Sequence, residues 1–125
     1  FAYVVERQTA VQSQYGRVLG CFHNSVGSEC VQRPHDVAAK AQEIIVALRR
    51  YLESVLRDAQ AAGLMTAGDP AERAKSLFAY VEGALTQARV HNDLEILRGI
   101  PRVAYALIGV TPPVSAAASA APASP

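Results

Sequence analysis

The sequence predicts an all-α domain of about five helices, and two observations carry that reading. Residues 35–63 place apolar side chains at steps of three and four, the period of a helix with one apolar stripe. Asp69, Pro70 and Glu72 then form a helix start in which each residue suits its position. Asp69 fits the N-cap, Pro70 has no N–H to leave unpaired at the first helical position, and Glu72 fits the third position of a capping box.

The long helix is expected to organise the rest. Val37, Ala41, Ile44, Ile45, Leu48, Tyr51, Leu52, Val55, Leu56 and Ala59 fall on its stripe, while Lys40, Glu43, Arg49, Arg50, Glu53, Arg57 and Asp58 mostly lie off it. No proline interrupts it, and Gly63 supplies a left-handed stop. At the usual helical rise it would be roughly 40 Å long. An apolar stripe of that length requires cover, so the shorter helices are expected to pack on it.

Before it, residues 1–19 show a looser helical pattern. Ala2, Val5, Thr9, Gln12 and Val18 mark one face, and Tyr3, Val4, Val11 and Tyr15 partly fill a second. There is no strict alternation, so a helix is expected, with a break or kink near residues 13–17 ahead of Gly16 and Gly20. Cys21, Phe22, Val26 and Cys30 share one face of a second, short helix, and residues 31–34 form a connector. Pro34 keeps Arg33 out of the helical region, and Asp36 suits the first turn of the long helix.

After the capped start, Ala74, Leu77, Phe78, Val81, Ala84, Leu85 and Ala88 line one side of the next helix. Its alanines and Gly83 allow a neighbour to approach near the lower end of the usual range of about 8–10 Å between axes. Asn92 and Glu95 suggest a second capping box, opening a final helix through Leu94, Leu97, Ile100, Val103, Ala104, Leu107 and Ile108. Pro101 should kink it near residues 97–99. Residues 1–109 are expected to form the domain, and the uncharged residues 110–125 a disordered tail.

Composition excludes several function classes. Twelve Lys and Arg against eleven Asp and Glu argue against a basic surface for nucleic acid. No apolar run is long enough to span a bilayer. Cys21 and Cys30 would stand about 13 Å apart along a helix, beyond the reach of a disulfide; free thiols in a cytoplasmic protein are expected. His23, His35 and His91 lack ligand spacing, so neither a metal nor a cofactor is predicted. No nucleophile, base and acid fall at meaningful spacing, and no enzyme activity is expected. The chain opens on Phe1 in what reads as helix, which suggests a piece of a longer protein.

Gly20-Cys21-Phe22 followed by Asn24, Ser25 and Glu29, then the long helix, then the phrase QAAGLMTAGDPAERAKSLFAYVEGALTQAR, resembles the C-terminal half of TetR-like (tetracycline-repressor-like) transcriptional regulators. The resemblance covers about residues 1–109. It implies a domain that binds a small hydrophobic effector and homodimerises through its last two helices, in a regulator that is commonly a repressor. Operator DNA would be met only by the family's N-terminal helix-turn-helix domain, which these residues do not include.

On this reading the effector pocket draws on Tyr15, Leu19, Phe22, Asn24 and Ser25, on Ile44, Leu48, Tyr51 and Leu52 of the long helix, and on Phe78, Glu82 and Gln87. Large apolar walls with a few polar groups are what such a cavity needs. Glu82 stands out, because a buried carboxylate requires a partner. The family's pairing through its last two helices implies a dimer interface of Leu77, Val81, Ala84, Leu85, Ala88 and Arg89, with Ile100, Val103, Ala104, Leu107 and Ile108 from the final helix. The bland alternative is that one chain fills both faces itself. Cys21 is a redox candidate only if its thiol is exposed and its pKa depressed. The rival functions are a structural helical interaction domain and a helical carrier of hydrophobic molecules.

Overall fold

The computed structural model describes residues 1–30 and 36–110; the expected connector and nearly all of the expected tail lie outside them. The helices are α1 (Ala2–Tyr15), α2 (Phe22–Cys30), α3 (Asp36–Ala61), α4 (Pro70–His91), α5 (Glu95–Arg98) and α6 (Ile100–Ile108). Among the described residues there is no strand. The all-α expectation is met, and α5 with α6 form the one kinked final helix that Pro101 predicted. The break falls at Gly99, and Pro101 sits at the start of α6, where its missing N–H leaves no bond unmade.

The packing centre differs from the expectation. α3 buries only Ala41 and Leu56, whereas α4 buries Ala74, Leu77, Ala84, Leu85 and Ala88. The reason is position: α4 packs on α3, α5 and α6, while α3 packs mainly on α2 and α4. Val37, Leu48, Tyr51 and Val55 of the α3 stripe stay exposed as a result. Around α4 the core is completed by Val18, Met65, Leu97, Ile100, Ala104 and Ile108. Ala74, Ala88 and Ala104 are wholly covered, so small side chains sit where the helices crowd one another.

Two polar fastenings fix the ends of α4. At its start Asp69 accepts the Ala71 N–H at 2.9 Å, while Glu72 turns toward Lys75. Arg73 donates to the Thr66 carbonyl and hydroxyl and to the Ala67 carbonyl. Thr66 N–H in turn donates to the Gly109 carbonyl at 3.1 Å, so the α3–α4 loop is joined to the end of α6. At the far end of α4, Asn92 is a C-cap rather than the expected N-cap. Its φ of 55° is left-handed, and its N–H closes on Ala88 and Arg89. The start of α5 is held instead by Asp93, whose carboxylate accepts the Glu95 N–H at 2.8 Å.

Asn92 also reaches α1. Its side-chain oxygen accepts the Val18 N–H at 2.9 Å, and its amide donates to the Gly16 carbonyl at 3.1 Å. Gln8 grips the same loop from the α1 side, accepting from Leu19 and Gly20 N–H and donating to the Gly20 carbonyl. The loop between α1 and α2 is thereby fixed before α2 begins.

Candidate ligand groove

Gly20 sets α2 against α4. Its φ of 72° is left-handed, and a Cβ there would stand 3.2 Å from the Leu85 carbonyl oxygen and 3.4 Å from Arg89 Cβ. With no side chain in the way, the turn that leads into α2 lies against α4. From that turn Cys21 meets Glu82, and His23 lies close enough for its charge to act on the same carboxylate.

Glu82 is half-buried, and its Oε2 is buried without a hydrogen-bond partner. Burial pushes its carboxyl above the usual range, against smaller opposing effects of the Cys21 thiol and His23. Burial also pushes the Cys21 thiol up; the Asn24 backbone N–H opposes this and the Glu82 charge adds to it. Such surroundings keep sulfur protonated at neutral pH, the reverse of what a redox-sensing thiolate requires. Cys21 and Cys30 are both free.

Beside this cluster two connected grooves run between α1, α2 and α4. One, of about 340 Å³, is bounded by Gly20, Cys21, Ser25, Glu29, Thr86, Arg89 and Val90. The other, of about 400 Å³, shares Gly20, Ser25, Glu29 and Arg89 and adds Arg7, Gln8, Val11, Leu19, Phe22 and Val26. Past Phe22 and Val26 a third, mostly apolar groove of about 250 Å³ extends over Val37, Ala41 and Ile44. Arg89 donates to the Ser25 hydroxyl, which itself donates to the Cys21 carbonyl at 3.0 Å.

The structure brings Leu19, Phe22 and Ser25 together here, with Ile44 at the apolar end. It places Tyr15 exposed at the end of α1, and Leu48 and Tyr51 exposed on α3. Leu52 packs on the core; Asn24 and Phe78 are half-buried and line none of these grooves. Sequence reasoning missed Arg7, Gln8, Val11, Gly20, Val26 and Glu29 as lining residues. Helical spacing does group Arg7 with Val11, and Phe22 with Val26 and Glu29, but that these faces meet is a tertiary fact.

The residues expected at a dimer interface are differently placed. Leu77, Ala84, Leu85, Ala88, Ile100, Ala104 and Ile108 are buried within the single chain, because α4 and α6 pack on each other. Val81 and Val103 are half-buried, Leu107 is exposed, and Arg89 faces Ser25. The outward side of α4 presents Ala79, Gly83 and Gln87, along a shallow groove of about 290 Å³ that Tyr80 and Ile96 help to bound.

A family model described as tetracyclin repressor-like, C-terminal domain, matches residues 2–103. The chain belongs to that family. No curated protein and no solved structure matches it. The match covers α1 through the first part of α6, so both the groove and the outward side of α4 lie inside the TetR-like domain. No helix among its described residues is long and apolar enough to cross a membrane.

Proposed function

We propose that this TetR-like domain senses a small hydrophobic effector and homodimerises, as part of a cytoplasmic transcriptional repressor. The observation that carries the reading is the groove between α1, α2 and α4, which lies within the family match and joins apolar walls to a few polar groups. Its walls come from three separate helices, so an occupant would bear on how α1 and α2 sit against α4. A ligand acts on such an equilibrium only through a difference in affinity between the two arrangements. Contact with operator DNA would fall to a DNA-binding domain elsewhere in the regulator. Enzymatic turnover forms no part of this proposal.

Pairing is proposed through the outward side of α4 and the exposed flank of α6, rather than through the residues the chain already buries. Two measurements test the reading. Sedimentation at micromolar concentration should give twice the 13.3 kDa chain mass, and a thermal-shift screen of small apolar molecules should return stabilising compounds. A monomer that no compound stabilises would sink the proposal. It would favour the rival reading of a helical interaction domain, to which the solvent-exposed Tyr51, expected in a pocket, already lends some weight.

A further inference from the structure

Two arginines face the groove without a carboxylate partner. Among the described residues the ion pairs join Lys40 to Glu43, Arg57 to Glu53, Lys75 to Glu72 and Arg98 to Glu95, each within one helix. Arg7 from α1 and Arg89 from α4 take part in none of them, although both line the same trough. The Arg89 guanidinium is held in place by Ser25. Glu29 lines the trough too, which leaves its wall with one net positive charge.

The cations adjoin an apolar surface. Leu19 is 50% and Phe22 73% exposed, and both lie on the trough with Val11 and Val26. Large apolar side chains left open in one cluster mark a surface awaiting a partner. A second groove adjoins it at Phe22 and Val26 and is bounded by His23, Val37, Lys40, Ala41 and Ile44. Arginine and large apolar side chains lining one trough match an amphiphile whose head is negative.

We infer that this groove takes a free monocarboxylate with an apolar tail, its carboxylate between Arg89 and Arg7 and its tail over Phe22 and Val26. The inference rests on the sensing reading above and names the ligand class. A planar carboxylate suits the two-pronged donor geometry of a guanidinium. Glu29 selects for a single charge, because the second charge of a phosphate monoester would meet a carboxylate of its own sign. A cationic head would meet the two arginines.

Titration calorimetry of the 125-residue chain with four ten-carbon probes tests this. The probes are decanoate, methyl decanoate, decyl phosphate and decyltrimethylammonium. Decanoate should bind at least tenfold more tightly than the other three. Arg89→Gln should weaken it about tenfold, as expected for loss of a charge-assisted hydrogen bond, and Arg7→Gln should weaken it to a smaller degree. Both side chains are exposed, and a melting curve on each variant confirms that it is folded. Equal binding of the acid and its methyl ester, or decanoate affinity unchanged in both variants, overturns the assignment. Tighter binding of the ester, the phosphate or the cation also overturns it while leaving effector sensing intact. If none of the four binds, the carboxylate assignment falls, and effector sensing is then decided by the thermal-shift screen alone.

Discussion

The side-chain oxygen of Asn92 accepts the backbone N–H of Val18 at 2.9 Å, joining the end of α4 to the loop that precedes α2. Val18 is 2% exposed, so its N–H has little access to water and depends on this acceptor. The same asparagine holds a left-handed backbone conformation, which most residues adopt only with strain. Asn92→Gly keeps the backbone conformation and loses the hydrogen bonds; Asn92→Ala loses both. Urea denaturation should rank wild type above Gly and Gly above Ala, with Ala costing about 1–3 kcal/mol. Equal stability of the two variants would show that the left-handed turn contributes nothing.

Gly20 and Gly16 share nearly the same positive φ but differ in surroundings. A Cβ at Gly16 meets nothing within 4 Å, whereas one at Gly20 crowds the Leu85 carbonyl. Gly16→Ala should therefore cost about 1 kcal/mol from backbone strain alone. Gly20→Ala should cost measurably more and loosen α2. Melting temperatures of the two variants measured side by side isolate the cost of the close approach.

Stability should fall as pH rises above the ordinary glutamate range. The folded state raises the Glu82 carboxyl, so it holds that proton more tightly than the unfolded chain does. A raised acid contributes no penalty below its unfolded pKa and a growing one as pH climbs through the folded value. Glu82→Gln should flatten this slope and melt no lower than wild type at pH 7. Denaturation midpoints collected from pH 4 to pH 8 check the sign; a wild-type midpoint that rises across that interval contradicts it.

The same carboxylate acts on Cys21. With Cys30→Ser removing the other thiol, alkylation of Cys21 by iodoacetamide at pH 7 should run slower than that of an unstructured cysteine, since burial and the Glu82 charge both raise the thiol. Glu82→Gln in that background should speed the reaction a few-fold. Mass spectrometry of timed samples reads both rates, and fast labelling of the parent protein would contradict the protonated state.

Gly83 and Leu85 separate pairing from folding. Leu85 is buried within the chain, so Leu85→Glu should unfold it, an uncompensated charge in a core costing several kcal/mol. Gly83 is exposed on the outward side of α4 with open space around it. Gly83→Arg should leave the helical content unchanged and yield a folded monomer by sedimentation. A Gly83→Arg protein that remains dimeric moves the proposed interface elsewhere.

Much of the architecture was legible because local chemistry fixes it. The stop at Gly63, the Asp69-Pro70 start and the break before Pro101 each follow from backbone rules that act within a few residues. Asn92 is ambiguous in sequence because asparagine suits both a helix start and a left-handed helix end, and only the fold decides between them. The centre of packing is hidden from the sequence for a related reason. The strongest apolar stripe belongs to α3, but burial depends on how many neighbours a helix has, and α4 has more. The groove was half legible. Phe22 and Ser25 share a face of α2, yet nothing in the spacing of Arg89 says that it faces Ser25.

The bond from Thr66 to the Gly109 carbonyl turns α4, α5 and α6 into a closed circuit, latched where it begins and ends. α1, which buries no residue fully, rests on the core through half-buried Val4 and Val5 and is tied to the end of α4 by the Gln12 and Asn92 contacts. Amide protons of α1 should therefore trade with deuterium long before those of α4, and the leading helix can swing while the trailing three stay shut.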